Sequence, residues 1–316
     1  MLLSVVIPVY FNAESLAPLW RALEASLATL PGDLDWEVVF VDDGSGDDSY
    51  AELARLHHAA PTRVRVARLT RNFGQVAAIL AGLHLARGDA CVVLSADLQD
   101  PPELIPELVR RWNGGSHRIV LATRAAREDG AFARWASRVF YRLMRRYAVP
   151  NMPEGGFAFF LVDRRVVDII NQLDEKNTFL QGMILWTGFR PEVIPYTRRR
   201  RPHGRSRWSL SRKVKYFVDG FVTYTVAPIR LITLVGLAVS LLSFGYAALI
   251  LLLRLFWGLP VEGWAPTMIS ILGLSGVQLV MLGIIGEYLW RNYYETRKLP
   301  SYVIDGVLDA RQRTEP

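Results

Sequence analysis

Asp97 and Gln99 stand two residues apart in "LSADLQDPPE", directly after an apolar run. Residues leaving a strand alternate in direction, so positions i and i+2 share a face. A carboxylate and an amide oxygen turned to one point make a hard-oxygen pair of the kind Mg²⁺ or Mn²⁺ accepts. Phosphate oxygens of a substrate commonly complete such a set. An apolar strand gains nothing structural from Asp97, which makes it the leading candidate for chemistry. Asp100 reads differently: it precedes Pro101, Pro102 and Glu103, the composition of a helix start, and is expected to act as a cap. Asp42 and Asp43 close a second apolar run in "VVFVDDGSGDDS". They suit an Asp-Gly turn, and equally a pair of acceptors for a nucleotide base or ribose. Arginines crowd "RRRRPHGRSRWSLSRKVK", residues 198–215, a pattern matched to phosphate or a membrane surface.

The elements that must hold these residues alternate. Segments 3–9, 36–41, 64–69, 90–94 and 119–123, rich in Val, Ile and Leu, read as strands. Helical patterns lie between them near 14–29, from Asp47 or Asp48 to about 59, and over "NFGQVAAILAGLHLA". This alternation predicts an α/β domain with a mostly parallel sheet. Ligands of such sheets bind beyond the carboxyl ends of the strands, where both acidic clusters fall. Further on, 131–147 reads as a basic amphipathic helix, and "GGFAFFLVDRRVVDII" as strand then helix.

The chain has 316 residues, is 51% hydrophobic and carries a net charge of +7. Its one cysteine, Cys91, lies in an apolar run, which excludes an internal disulfide and predicts a buried thiol. The opening "MLLSVVIPVY" has no basic region or cleavage site and reads as a first strand. Two stretches, 231–253 and 267–285, run 23 and 19 residues without a charge, each enough to cross a ~30 Å hydrocarbon core as a helix. Trp257 and Trp264 flank the short link between them, and basic residues lie outside both (Arg212, Lys213, Lys215 and Arg230 before; Arg291, Arg297 and Lys298 after). By the positive-inside rule both termini are expected in the cytoplasm, with the chain as a multi-pass protein of the inner membrane. The expected division is a globular domain over 1–208, amphipathic juxtamembrane helices over 209–230, a two-helix hairpin over 231–290 and a tail over 291–316.

Taken in order, "VVIPVYFNAESL", "VVFVDDGSGDDS", "RNFGQVAAILAGLHLARGDACVVLSADLQDPPE" and "GEYLWRNYYETRKLPSYVI" resemble family 2 glycosyltransferases of the polyprenyl-phosphate type. The group includes dolichol-phosphate mannose synthase and bacterial undecaprenyl-phosphate sugar transferases. The resemblance runs over essentially the whole chain. It implies a GT-A fold and an inverting, metal-dependent hexosyl transfer. The donor is a nucleotide-diphosphate sugar, expected to be a UDP-sugar, and the acceptor a polyprenyl phosphate, expected to be undecaprenyl phosphate. Carried over by motif, Pro8, Tyr10, Glu14, Asp42 and Asp43 line the donor pocket, while Asp97 and Gln99 hold Mg²⁺ or Mn²⁺. Ser95 stands where many relatives have a further acidic residue. Arg201 and Arg207 match a basic R-x-x-G-x-S-K segment, with Arg207 in the lysine position, and are assigned to the diphosphate. Arg124, Arg134 and Ser137 fall where relatives contact the lipid phosphate. A homotetramer on a lipid bilayer is likewise implied by resemblance alone.

One departure stands out. Relatives carry an acidic residue in the segment written here "EGGFAFFLVDRR", and Ala158 occupies its place. Either this is natural variation, with Glu154 or Asp163 substituting, or an Asp-to-Ala change that disables turnover while donor still binds. Two other function classes are weighed. A processive polysaccharide synthase needs Q-x-x-R-W, but "GRSRW" has Gly204 in the glutamine position. A non-catalytic binding relative has only Ala158 in its favour. Nucleic acid is not the expected partner of the arginine run, which abuts a membrane span and lacks regularly spaced stacking aromatics.

Overall fold

The computed structural model describes residues 1–115, 117–124, 141–146, 149, 151–153, 155–173, 179–199, 227–257, 263–297 and 299–310. The chain divides into two compact units, one of Met1–Phe221 with Leu299–Pro316, the other Val222–Lys298.

In the first unit the chain runs β1 (Leu2–Val9), α1 (Ala13–Leu27), β2 (Asp35–Asp42), α2 (Ser49–Ala59), β3 (Val64–Leu69), α3 (Gln75–Leu85) and β4 (Ala90–Val93). A 3₁₀ turn (Pro102–Leu104) leads into α4 (Ile105–Asn113) and β5 (Ile119–Arg124). Then come β6 (Phe157–Asp163), α5 (Arg164–Gln172), α6 (Leu180–Trp186) and β7 (Glu192–Tyr196). The described strands form one sheet in the order β7-β5-β6-β4-β1-β2-β3-β8, where β8 is Ile304–Leu308. Pairing is parallel for β1–β2, β1–β4, β2–β3 and β5–β7, and antiparallel where β6 or β8 is involved. The mostly parallel α/β layout expected from the sequence is therefore present, with two reversed strands added.

The central strands are apolar because helices cover both faces. Every residue of β4 is buried, as are seven of the eight in β1. Cys91 lies inside this layer, fully buried, and burial pushes its thiol up to about 12, so it is the inert structural thiol expected. β7 and β8 were not foreseen. β7 contains Pro195 and leaves alternate residues partly open, as an edge strand does. β8 belongs to the segment read as a tail, yet it pairs with β3 as the other edge. Buried charges fix it there: Asp309 lies 3.1 Å from Arg65 Nε and 2.8 Å from an Arg87 guanidinium nitrogen, and Arg65 also meets Glu37 at 3.0 Å.

The second unit holds α7 (Ala227–Trp257, 31 residues) and α8 (Trp264–Thr296, 33 residues). At 1.5 Å per residue each exceeds the ~30 Å core of a bilayer. Their apolar residues face outward: Leu242 is 74% exposed, Phe244 75% and Leu279 69%. No described residue of either most apolar window is buried, and both helices are long and apolar enough to cross a membrane. The juxtamembrane stretch 209–226 lies outside the described residues.

Candidate active site

Strands β3, β2, β1 and β4 are adjacent in that order, so the chain reverses its direction of travel across the sheet between β1 and β4. In sheets of this kind, ligands bind beyond the strand ends at such a switch point. Tyr10 and Phe11 follow β1 there, Asp42 and Asp43 end β2, and the segment 95–100 follows β4. Short hydrogen bonds tie the three tips together. Ser15 Oγ donates to Ala96 O at 2.8 Å, Asn12 N to Ser49 Oγ at 2.9 Å, and Phe11 N to Ser45 Oγ at 3.1 Å. Phe11 has φ +55, a strained value for a bulky residue and one typical of a site built for function.

The two aspartates of β2 differ in role. Asp42 is fully buried; its Oδ1 accepts from Ser45 N at 3.2 Å, and its Oδ2 has no hydrogen-bond partner. The nearest cation, Arg68 Nε, is 3.8 Å away, stacked by its guanidinium over Tyr50 at 4.7 Å. Burial raises the Asp42 pKa despite these neighbours. A buried carboxylate oxygen without a donor is the polar handle a ribose hydroxyl or base N–H would satisfy. Asp43, grouped with it from sequence, is committed elsewhere. Its carboxylate accepts from Phe73 N at 2.7 Å, Gly74 N at 2.9 Å and Asn72 Nδ2 at 2.9 Å. These three donors make Asp43 the fastening of the 72–74 loop, a role the sequence did not indicate. Gly44, at φ +65, permits the turn between them: a Cβ there would meet the Arg71 backbone at 2.6 Å.

Burial raises Asp43 from 3.8 to about 6, against the hydrogen bonds that lower it. The native state thus keeps this proton longer than the unfolded chain does. The associated stability is complete below pH 4 and lost as pH rises through 6. Asp43→Asn removes this titration, so the wild type's advantage in unfolding free energy over the variant shrinks by about 2 kcal/mol between pH 4 and 7. Chemical unfolding followed by tryptophan fluorescence at the two pH values measures this; a constant difference rules the assignment out.

The β4 tip is a stitched loop. Asp97, 7% exposed, accepts through Oδ1 from Ser95 Oγ at 2.7 Å and Gln99 N at 3.1 Å. Leu98 takes φ +58 to make the turn. Gln99 and Arg199 bind each other twice, Arg199 N to Gln99 O at 2.9 Å and Gln99 Nε2 to Arg199 O at 3.3 Å. With its nitrogen so engaged, the Gln99 amide presents its oxygen as the remaining end. Asp97 and Gln99 thus supply oxygens only, a set that fits Mg²⁺ or Mn²⁺. No group of three or more His, Cys, Asp or Glu is gathered among the described residues, so a cation here needs substrate phosphates to complete its shell.

Asp100 is not the helix cap its sequence context implies. The 3₁₀ turn is capped at Pro101, with no side-chain hydrogen bond. Asp100 is instead fully buried beneath the loop, accepting from Tyr196 Oη at 2.5 Å and Ser95 Oγ at 2.7 Å. Arg198 Nε lies 3.5 Å from it, and an Arg198 terminal nitrogen 3.9 Å from Asp97. Tyr196 in turn meets Arg124, its register partner on β5, and burial beside Asp100 raises the tyrosine pKa. Arg124, named from sequence for the acceptor phosphate, is therefore joined to the cation loop through Tyr196 and Asp100. Sequence reasoning missed Tyr196 and Arg198; Arg198 was one of four consecutive arginines with no feature to set it apart.

The remaining candidates are distributed as follows. Pro8 is buried in β1 opposite Val41, Tyr10 packs edge-on to Phe11 at 4.7 Å, and Glu14 is exposed in the first turn of α1. Arg134, Ser137, Arg201 and Arg207 lie outside the described residues, as does Glu154. Ala158 is exposed on β6 at a bulge, the extra residue between the pairs Phe157–Thr123 and Phe159–Ala122. Phe159 beside it packs edge-on to Tyr196 at 6.0 Å, so the bulge adjoins the Asp100–Tyr196 cluster. Asp163 cannot stand in for an acid at 158. It lies five residues away at the far end of β6, where it caps α5 through Arg165 N at 3.0 Å. It also accepts from Trp112 Nε1 at 3.1 Å and Arg118 at 2.9 Å.

Residues 4–170 match the family model described as Glycosyl transferase family 2. The chain is 36% identical over 306 residues to an uncharacterized glycosyltransferase of Synechocystis, covering 96% of this chain and 95% of that one. It is 35% identical over 305 residues to the bactoprenol glucosyl transferase of Shigella phage SfV, covering 96% and 98%. A prophage bactoprenol glucosyl transferase homolog of Escherichia coli K12 is 34% identical over 308 residues, covering 97% and 99%. Among solved structures, mannosyl-3-phosphoglycerate synthase from Rubrobacter xylanophilus overlaps 69% of this chain and 71% of its own, with a TM-score of 0.48 at 18% identity, too little to carry a functional argument.

Proposed function

The chain belongs to glycosyl transferase family 2, and from that premise we propose that it is a membrane-anchored hexosyltransferase that moves a sugar from a UDP-sugar to undecaprenyl phosphate. The observation that carries this reading is the end-to-end similarity to bactoprenol glucosyl transferases, which extends through the two long apolar helices. Those helices suit a bilayer anchor beside a lipid acceptor. Because β8 follows α8 and rejoins the sheet at β3, the chain both enters and leaves the helical pair from the catalytic unit. That connectivity supports two crossings with both flanks on the cytoplasmic side.

The residues divide the work. The unsatisfied Asp42 oxygen suits the nucleoside, and Asp97 with Gln99 suits a Mg²⁺ or Mn²⁺ ion held together with the donor diphosphate. Such an ion, when bound, offsets the negative charge that the departing nucleoside diphosphate gains. Arg124 suits the acceptor phosphate, since the planar guanidinium fork matches phosphate oxygens; Arg134 and Ser137 are proposed beside it, and Arg201 and Arg207 on the diphosphate. The acceptor is already an anionic nucleophile near neutral pH, so these residues need to position and partly desolvate it more than deprotonate it. The test is a donor panel of UDP-glucose, UDP-GlcNAc, UDP-galactose and GDP-mannose, each radiolabelled in the sugar, with a short polyprenyl phosphate. Label passing into organic solvent with one UDP-sugar supports the proposal; label that remains aqueous with every donor defeats it.

Ala158 favours a second reading, in which this chain binds donor but transfers slowly. Its exposed bulge adjoins the Arg124–Tyr196 side of the site, where an acidic side chain could orient acceptor or sugar hydroxyls. Ala158→Asp is expected to raise kcat for transfer by about tenfold or more, within the range of positioned acid–base groups, with donor binding little changed. Unaltered kcat would show that this position carries no missing function.

A further inference from the structure

Four consecutive arginines, 198–201, begin the basic segment, and the first is placed unlike the second. Arg199 is a surface residue, 55% exposed and paired at 3.3 Å with Glu103, itself 56% exposed. Arg198 is 25% exposed and lies between two carboxylates of the cation loop, with Nε 3.5 Å from Asp100 and a terminal nitrogen 3.9 Å from Asp97. Those carboxylates are nearly buried and share the Ser95 hydroxyl, 2.7 Å from each. One hydroxyl has one proton to donate, so it serves only one of them at a time. Two buried like charges this close repel each other, and a cation between them relieves the repulsion. Among the described residues the other neighbours are engaged: Tyr196 donates to Asp100, Arg124 reaches Tyr196, and Arg199 points to Glu103.

We infer that Arg198 is the resident counter-ion of the cation loop, neutralising Asp97 and Asp100 until a divalent ion takes its place at Asp97. Its two contacts are unequal. Asp100 holds Nε at the shorter distance and is fully buried, whereas the terminal nitrogen meets Asp97 loosely. Arrival of the ion therefore frees the terminal nitrogens while Asp100 keeps the base of the guanidinium. The freed end then binds the diphosphate that arrives with the ion, so Arg198 opposes the bare cation and favours the cation–nucleotide complex. This inference rests on the reading of Asp97 as a cation ligand.

The test is Mn²⁺ binding to the purified full-length protein in detergent, followed by electron paramagnetic resonance, with and without UDP. Arg198→Gln is expected to bind Mn²⁺ about fivefold more tightly without nucleotide, and Mn²⁺–UDP about fivefold more weakly. Arg199→Gln, which removes the same charge one residue away, should move both by less than about twofold. Arg198→Lys, which keeps the charge but loses the fork, should retain the wild-type Mn²⁺ affinity and bind Mn²⁺–UDP more weakly; it also serves if the Gln variant fails to fold. Unchanged or weaker Mn²⁺ binding in Arg198→Gln, or equal effects in the Arg199 variant, overturns the counter-ion role alone. If Asp97→Ala binds Mn²⁺ as wild type does, the assignment of Asp97 falls and the inference with it.

Discussion

Asp97→Ala is expected to lower metal-stimulated transfer by about 10³-fold, equivalent to ~4 kcal/mol of transition-state stabilisation. The substitution removes the one carboxylate placed at the switch point with an oxygen-donating partner two residues on. Gln99 alone cannot hold a hard dication, because a neutral amide oxygen gives it no charge to offset dehydration. The change should spare the fold. Ser95 retains Asp100 as its partner at 2.7 Å, and the Gln99–Arg199 pairing does not involve Asp97. Initial rates against Mn²⁺ concentration, with the wild type alongside, provide the measurement. A variant that keeps the full metal-stimulated rate would remove Asp97 from the cation site.

Asp100→Ala should act through structure before chemistry. It takes the acceptor from two hydrogen bonds at a fully buried position, those of Tyr196 Oη at 2.5 Å and Ser95 Oγ at 2.7 Å, and removes the nearer carboxylate beside Arg198. Each hydrogen bond to a charged acceptor contributes roughly 1.5 kcal/mol or more, so a loss of about 3 kcal/mol is expected. For a unit of this size that corresponds to a fall of roughly 8 °C in Tm. Asp100→Asn keeps the shape and an acceptor oxygen for Tyr196, and should recover most of the Tm. Were Asp100 only a helix cap, alanine would cost about 1 kcal/mol and asparagine would be neutral. Thermal unfolding of the two variants separates these outcomes.

Both results bear on how far the sequence could be read. β1 to β4 were legible because each is mostly buried and rich in Val, Ile, Leu and Phe, although β2 and β3 also carry charged residues. Asp97 stood out for the complementary reason, as a charge just beyond an apolar strand that gains nothing from one. β7 and β8 were hidden because edge strands are short and half open, and β8 is IDGVL in a stretch that otherwise reads as a tail. Asp100 was misread because its local context, Asp-Pro-Pro-Glu, is helix-start chemistry. Its partner Tyr196 is 96 residues away, and nothing near either residue announces the other. Asp43 was paired with Asp42 because neighbours of one type look alike in sequence. The three donors that claim it come from a loop some thirty residues downstream.

Local rules therefore determined the α/β alternation and the two long apolar helices, since each depends on periodicity, length or spacing within a few residues, and they singled out Asp97 and Gln99 as the pair proposed for a cation. Tertiary structure alone decided which aspartate keeps an open oxygen and which is buried as a fastening. It also decided that Asp163 is too far from the bulge to replace an acid at 158, and that Arg198 rather than Arg199 sits between the two carboxylates. The physical reason is common to all three. Adjacent residues of one type have the same chemistry, and a charged group acquires its role from the partners that folding brings within about 4 Å.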